Sequence, residues 1–451
     1  MARRNCCSSP EHTISRRKLL FGAASAAAFF TAARRGEGEI LSAGVQPRGT
    51  AQSCIFVTLN GAPSHVDTWD PKDGPWNPAD ANLQQYPGGM VLSRRLFPNL
   101  SQLTNDILLV RSVSSWELAH DRGQFYTQTA HPSNPAFIAE SPNIGAVMSY
   151  ELGKHGPLPP FLALNVDSSF QGAKFLGGPN EPLIAPVQAT GLTTLQHPYY
   201  GNNSQQIFNQ KYAMLRQLDA PLITTPYSDE MAAHASYYDS AKTLMYDPKV
   251  AGVFMFTSDE SARYGDTPFG RACIVARNAV QSKLGISFIN IVSDGWDTHV
   301  GMFDTSYTPN MYTLCNDLDR GIGTLMKDLK ASGDLASTLI VLLGEFGRTP
   351  GLLNAQGGRD HWKDAMSVFL AGGGIAGGRT IGTTSATGDE ITDPGWSGNR
   401  QIFMEDIACT MYSALGIDWT KSISNTPSGR LFEYVGQAAA GVYTSVDEVF
   451  G

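Results

Sequence analysis

In Gly295-Trp296-Asp297-Thr298-His299 a carboxylate and an imidazole stand two positions apart, just after the apolar run Ile286 to Ile291. If the chain is still extended there, side chains at i and i+2 point to the same side, so Asp297 and His299 can share one cation. An imidazole beside a carboxylate suits zinc, manganese or iron better than calcium; a hydrogen-bonded pair closing a strand is the alternative. Two other segments repeat the placement. Glu345, in Gly344-Glu345-Phe346-Gly347-Arg348 after Thr338 to Leu343, can be a ligand, a general base or the ion-pair partner of Arg348. His361, in Gly358-Arg359-Asp360-His361-Trp362 before Met366 to Ala371, is a candidate ligand or a structural histidine. Two polar clusters lie nearer the N-terminus. Asp67 repeats the spacing with His65 and is either a further ligand or, with Ser64, a helix cap. Ser114 to Asp121, which includes Ser115 and His120, leads into a helix whose N-terminus favours an anion.

These clusters sit where strands meet loops. Short β-branched or apolar runs at 54–59, 107–113, 161–164, 286–292, 338–343 and 366–371 predict strands. Helices are expected from Asp121 to Thr129, beginning near His120, and over 144–152, 271–283, 310–332 and 404–415. In 310–332 the residues Cys315, Leu318, Ile322, Leu325 and Leu329 make one apolar stripe for packing on a sheet. The alternation of strand and helix is a βαβ rhythm and predicts an α/β protein. Such sheets bind ligands beyond the carboxyl ends of their strands, so the clusters predict one site assembled from distant segments. Tyr86 to Arg95 and Pro98 to Asp106 read as loop and short helix, and 383–399 as a Gly- and Thr-rich loop. Residues 165–265 read as a helical insertion or cap, with helix-like stretches at 204–218 and 229–245, and the last thirty residues as peripheral turns and tail.

Ser15-Arg16-Arg17-Lys18-Leu19-Leu20 followed by an Ala-rich run to Ala33 matches a twin-arginine export signal, removed between Ala32 and Ala43. The run is shorter than the roughly 20 apolar residues of a membrane span, so no span is expected in the mature chain. Removing residues 1–43 takes the formal charge from −8 to −12. An acidic protein is a poor partner for nucleic acid or an anionic membrane surface. Cys54, Cys273, Cys315 and Cys409 remain without a CxxC pair, which excludes a zinc finger or a disulfide scaffold.

With GAPSHVDTWDPK, AHDRGQFYTQ, GWDTH, GEFGRTP and GRDHW in this order after the export signal, the chain resembles the domain-of-unknown-function 1501 family (DUF1501) over nearly all of its mature length. The resemblance implies a branch of the alkaline phosphatase and sulfatase superfamily: a three-layer sandwich with a large, mostly parallel sheet between helices, spanning 44–420, with 421–451 as tail. It also implies one or two divalent cations (Zn, Mn, Mg or Ca) and hydrolysis of phosphate or sulfate esters. Asp297, His299 and His361 resemble the set that holds one metal, and Glu345 the acid of a second set. In the superfamily that acid is an Asp followed by His, whereas Phe346 follows here. The aspartate ending the first strand falls near Asn60, which leaves Asp67 as a displaced substitute. The nucleophile's place holds His120 and Asp121, Ser114 and Ser115 lie just upstream, and no CxPSR sulfatase signature exists.

The expectation is an exported metal-dependent hydrolase of a small-molecule or polysaccharide ester, working in the periplasm or outside the cell as a monomer or weak dimer. Attack is by metal-activated water or by Ser115, with Arg348 steadying the anionic oxygens and His120 protonating the leaving group. The alternative is a secreted binding or assembly protein, associated with polysaccharide, that keeps the fold without the chemistry; Trp296, Trp362 and Trp396 would then stack on sugar rings.

Overall fold

The seven residues of β1 (Ser53–Leu59) are all buried, which places this strand in the middle of a sheet covered on both faces. Its sequence is a continuous apolar run because neither face meets water. In this computed structural model, which describes residues 45–167, 169–185, 187, 204–224, 242 and 246–451, β1 is flanked by β7 (Phe288–Ser293) and β8 (Thr338–Leu343), both parallel to it. The export signal and nearly all of the helix expected over 229–245 lie outside the described residues.

Besides these strands, the chain forms a hairpin of β2 (Leu83–Gln85) and β3 (Val91–Ser93), then β4 (Ile107–Val113), β5 (Phe161–Leu164) and β6 (Leu183–Ala185). After β8 come β9 (Gly347–Arg348), β10 (His361–Trp362), β11 (Met366–Ala371) and β12 (Arg379–Ile381). The eight-stranded sheet runs β12-β4-β11-β8-β1-β7-β5-β6. Within it β11 is antiparallel to both neighbours and every other pair is parallel. Seven strands therefore share one direction, and the carboxyl ends of β1, β4, β7 and β8 open on the same edge as the start of β11. This is the α/β sandwich that the sequence predicts.

Ile55, Val57 and Leu59 of β1 share one core with Ile289, Ile291, Ile340, Leu342 and Phe369. The same core takes in the apolar faces of α4 (Pro268–Ser282) and α5 (Met311–Ser332), where Cys315, Leu318, Ile322, Leu325 and Leu329 are buried as the stripe predicts. On the opposite face lies α2 (Ile144–Leu152), so close that a Cβ on Gly145 would meet the rings of Phe288 and Phe161. There too α1 (His120–Thr129) and α6 (Met404–Ala414) bring Tyr126 and Ile407 against Leu343 and Val368. Another helix, α3 (Ser204–Thr224), falls in the stretch read as an insertion, and β6, from the same stretch, is the last strand of the main sheet.

Two local expectations change. Tyr86 to Arg95, read as loop and short helix, contains half of the β2–β3 hairpin, whose turn is made by Gly88 and Gly89 at positive φ. The loop over 383–399 contains a small antiparallel pair, Thr383–Thr384 with Ile391–Asp393. Tyr434, Val446 and Val449, near the C-terminus, are buried. All four cysteines of the described residues are free and buried, and burial pushes each thiol up. Among the described residues no helix is long and apolar enough to cross a membrane.

Candidate metal centre

Four side chains converge beyond the shared edge of the sheet. Asp297 and His299 come from the loop after β7, His361 opens β10, and His120 opens α1 after β4. One ligand atom of each lies within 4.8 Å of the others. Oδ1 of Asp297 is 3.0 Å from Nε2 of His299, 3.2 Å from Nε2 of His120 and 3.7 Å from Nε2 of His361. The Nε2 atoms of His299 and His361 are 3.0 Å apart. Four donors held at the ordinary zinc distances in a tetrahedron stand about 3.3 Å from one another, and the four separations above run from 3.0 to 3.7 Å.

What fixes the three imidazoles is the oxygen behind each. Nδ1 of His361 lies 2.6 Å from the Leu118 carbonyl, Nδ1 of His299 2.8 Å from Asp360 Oδ1, and Nδ1 of His120 2.6 Å from Glu345 Oε1. A carbonyl and an ionised carboxylate can only accept, so each Nδ1 carries the proton and each Nε2 presents a lone pair. Two Nε2 lone pairs facing each other at 3.0 Å repel unless a cation lies between them. Nε2 of His120 is moreover buried without a hydrogen-bond partner. The donor set therefore fits a divalent transition ion, and the oxygens behind it form the outer shell that orients such ligands.

Arg348 organises the loops beneath. It is fully buried; four of its N–H groups donate to the carbonyls of Gly61, Ala62 and Arg359 and to Asp297 Oδ1, and Nη1 lies 3.2 Å from His299 Nε2. Burial alone raises the Asp297 carboxyl, but the hydrogen bond and charge of Arg348, helped by His120 and His299, hold it below the usual carboxylate range. The hydrogen bond that His120 donates to Glu345 raises the pKa of its imidazole. Desolvation lowers His361, and the nearby Arg348, His120 and His299 act in the same direction.

Close backbone approach holds the loops in register. Gly61, at φ +101°, lies where a Cβ would stand 2.3 Å from the Asp297 nitrogen, and its own N–H donates to Glu345 Oε1 at 3.0 Å. The short pair β9–β10 sets His361 opposite Arg348.

Of the residues singled out in the sequence, Asp297, His299 and His361 meet. His120, expected as a proton donor, stands among them, and Glu345 reaches the group through His120. Asp67 does not reach it: both its oxygens are held by the buried guanidinium of Arg359 (Nε to Oδ2 2.6 Å), and Ser64 donates to Oδ2 at 2.5 Å. Arg348, expected to steady the substrate's anionic oxygens, is fully buried with four of its N–H groups on Gly61, Ala62, Arg359 and Asp297. Ser114 and Ser115 are not among the four clustered side chains. Ser115 is buried with its Oγ accepting the Glu117 amide, and Ser114 Oγ donates to the Asp364 carbonyl. Glu345 and Arg348 do not pair with each other, and Trp296 and Trp396 are buried, which removes both as sugar-stacking surfaces. Sequence reasoning missed Asp360 and the Leu118 carbonyl as partners of the imidazoles; the adjacency of Asp360 to His361 was the only signal.

A family model described as "Protein of unknown function (DUF1501)" matches residues 51–444. No curated protein matches the chain. Among solved structures, the chain is similar to PsFucS1, a sulfatase from Pseudoalteromonas sp., at 14% identity and TM-score 0.38, covering 90% of this chain and 72% of that one. It is similar to Ps i-CgsB in complex with k-i-k-neocarrahexaose at 12% identity and TM-score 0.41, covering 82% and 72%. It is also similar to the phosphonate monoester hydrolase SpPMH from Silicibacter pomeroyi at 12% identity and TM-score 0.37, covering 81% and 73%. At these scores none of the three says what the present site does.

Proposed function

We propose that this chain, which belongs to the DUF1501 family, is an exported metal-dependent hydrolase of phosphate or sulfate esters. The observation that carries the reading is the convergence of three imidazoles, each with Nδ1–H pinned by an oxygen, on the single carboxylate oxygen of Asp297. Asp297, His299, His361 and His120 would hold the cation, and nitrogen-rich ligation favours zinc over magnesium or calcium. When bound, a divalent cation supplies Lewis acidity toward an anionic ester oxygen.

The chain's own groups do the rest. All four side chains are partly exposed, from 24% for His361 to 46% for Asp297, so the cluster faces solvent on one side and an ester can reach it. Arg348 keeps Asp297 ionised and in place. Glu345 holds the Nδ1 proton of His120 and keeps its Nε2 aimed at the centre. With Ser114 Oγ bonded to the Asp364 carbonyl and Ser115 Oγ to the Glu117 amide, water is the attacking species in this reading.

The test is metal content and turnover in one preparation. The mature protein is dialysed with zinc, manganese, magnesium or calcium, its metal counted by mass spectrometry, and its activity assayed on p-nitrophenyl phosphate and p-nitrophenyl sulfate. One tightly held transition ion, with metal-stimulated turnover lost in His299→Ala and His361→Ala, is expected. A protein that retains no ion from any of the four would overturn the reading.

A further inference from the structure

The chain holds seven tryptophans, and the only exposed one, Trp116 at 52%, stands four positions before His120. It is not a stray apolar side chain on the surface. Its indole stacks on the Phe403 ring with centroids 4.3 Å apart and planes 1° from parallel. The Arg400 guanidinium lies 5.9 Å from that Phe403 ring and 5.1 Å from the buried Trp396 ring, and is clamped by Asp406 through bonds of 2.7 and 2.8 Å. Trp116 is thus the open end of an aromatic and cationic column rooted in the protein. Stacking and cation–π contacts fix the indole before any ligand arrives.

The column also borders the metal centre. The segment carrying Trp116 runs beside the one carrying His361: the Ser115 amide donates to the Lys363 carbonyl at 2.8 Å, and the Leu118 carbonyl takes the His361 Nδ1 proton. The segments that carry the indole and His361 also bear paired charges, Glu117–Arg122 (2.7 Å) and Lys363–Asp364 (2.6 Å). A flat, exposed and pre-set apolar face, with paired charges on the adjoining segments, matches a ring that is apolar on its face and polar around its edge. A pyranose has that distribution: C–H groups on one face and hydroxyls at the rim.

We propose that Trp116 is the sugar-ring subsite of this centre, so that the ester cleaved is carried on a pyranose. This rests on the hydrolase reading above. The ester oxygens would meet the His and Asp cluster while the ring of the alcohol part lies on the indole.

The experiment measures Kd by titration calorimetry on the full-length mature protein with zinc present. The probes are glucose 6-phosphate and glucose 6-sulfate, with glycerol 3-phosphate and methyl sulfate as esters that lack a ring. Trp116→Ala is expected to weaken both glucose esters about tenfold and to leave the ringless esters unchanged, while Trp116→Phe keeps most of the wild-type affinity. Equal affinity of wild type and Trp116→Ala for the glucose esters would overturn the subsite and leave the hydrolase reading standing, as would an equal loss in the Ala and Phe variants. Failure of all four esters to bind wild type would overturn the hydrolase reading itself, and the subsite with it.

Discussion

Nδ1 of His120 lies 2.6 Å from Oε1 of Glu345, 225 positions away in the chain, and the same oxygen accepts the Gly61 amide. One buried carboxylate oxygen thus ties the loops after β1, β4 and β8 together. Glu345→Gln can keep an oxygen for both donors while removing the charge. Zinc affinity, measured by competition with a chelator, is expected to fall about 10- to 100-fold with the circular dichroism spectrum unchanged. Wild-type affinity would show that the carboxylate adds nothing to the ligand set.

Arg348 is the second point of leverage. Replacing it by Met removes the donors of three buried carbonyls and the cation beside Asp297, a loss expected to cost about 3–5 kcal/mol of stability in urea unfolding. Arg348→Lys restores the charge without the five-donor fork and is expected to recover only part of it. Full recovery by Lys would mean that charge alone, not geometry, holds the loops.

Gly61→Ala separates a steric cost from a conformational one. Gly61 and Gly333 both sit at positive φ, +101° and +82°, but a Cβ at Gly61 would meet the Asp297 backbone at 2.3 Å whereas one at Gly333 meets nothing within 4 Å. Both alanine variants bear the left-handed strain, roughly 1–3 kcal/mol. Only Gly61→Ala is expected to lose bound zinc, read as metal per chain after dialysis, because only there must the ligand loop move.

Glu405, on α6, supplies a pH dependence away from the centre. Burial pushes its carboxyl up to about 7, against the ordinary 4.5, while the hydrogen bond donated by Tyr126 acts in the opposite direction. A carboxyl raised on folding stabilises the protein fully below the unfolded value and loses that contribution as pH rises through the folded one. Between pH 4.5 and 7 the wild type should therefore lose roughly 3 kcal/mol from this group, seen as a falling Tm. Glu405→Gln, uncharged throughout, should flatten that part of the profile, and an unchanged slope would assign the effect to other groups.

Short-range pattern made much of this legible. Apolar runs of six or seven residues are buried strands and the three-and-four spacing from Cys315 to Leu329 is a buried helix face, whereas Asp297 and His299 meet across a tight turn, with Thr298 N–H on the Trp296 carbonyl at 2.9 Å, and not along an extended strand. The β2–β3 hairpin was missed because its strands are three residues each and largely exposed on β2, which leaves almost no periodicity to read.

The sequence by itself determined which residue types could bind an ion and which runs would carry them to the end of a sheet. Only the tertiary structure decided which did so. Asp67 and Glu345 are both buried carboxylates after turns, yet the first is held by Arg359 and the second by His120 and Gly61. Arg348 and Trp116 exchange the roles their neighbourhoods suggest, the charged side chain fully buried and the aromatic one exposed. The physical reason is that a side chain's local spacing fixes its direction, but its hydrogen-bond partner and its exposure are set by segments hundreds of positions away, which meet only when the strands are placed side by side.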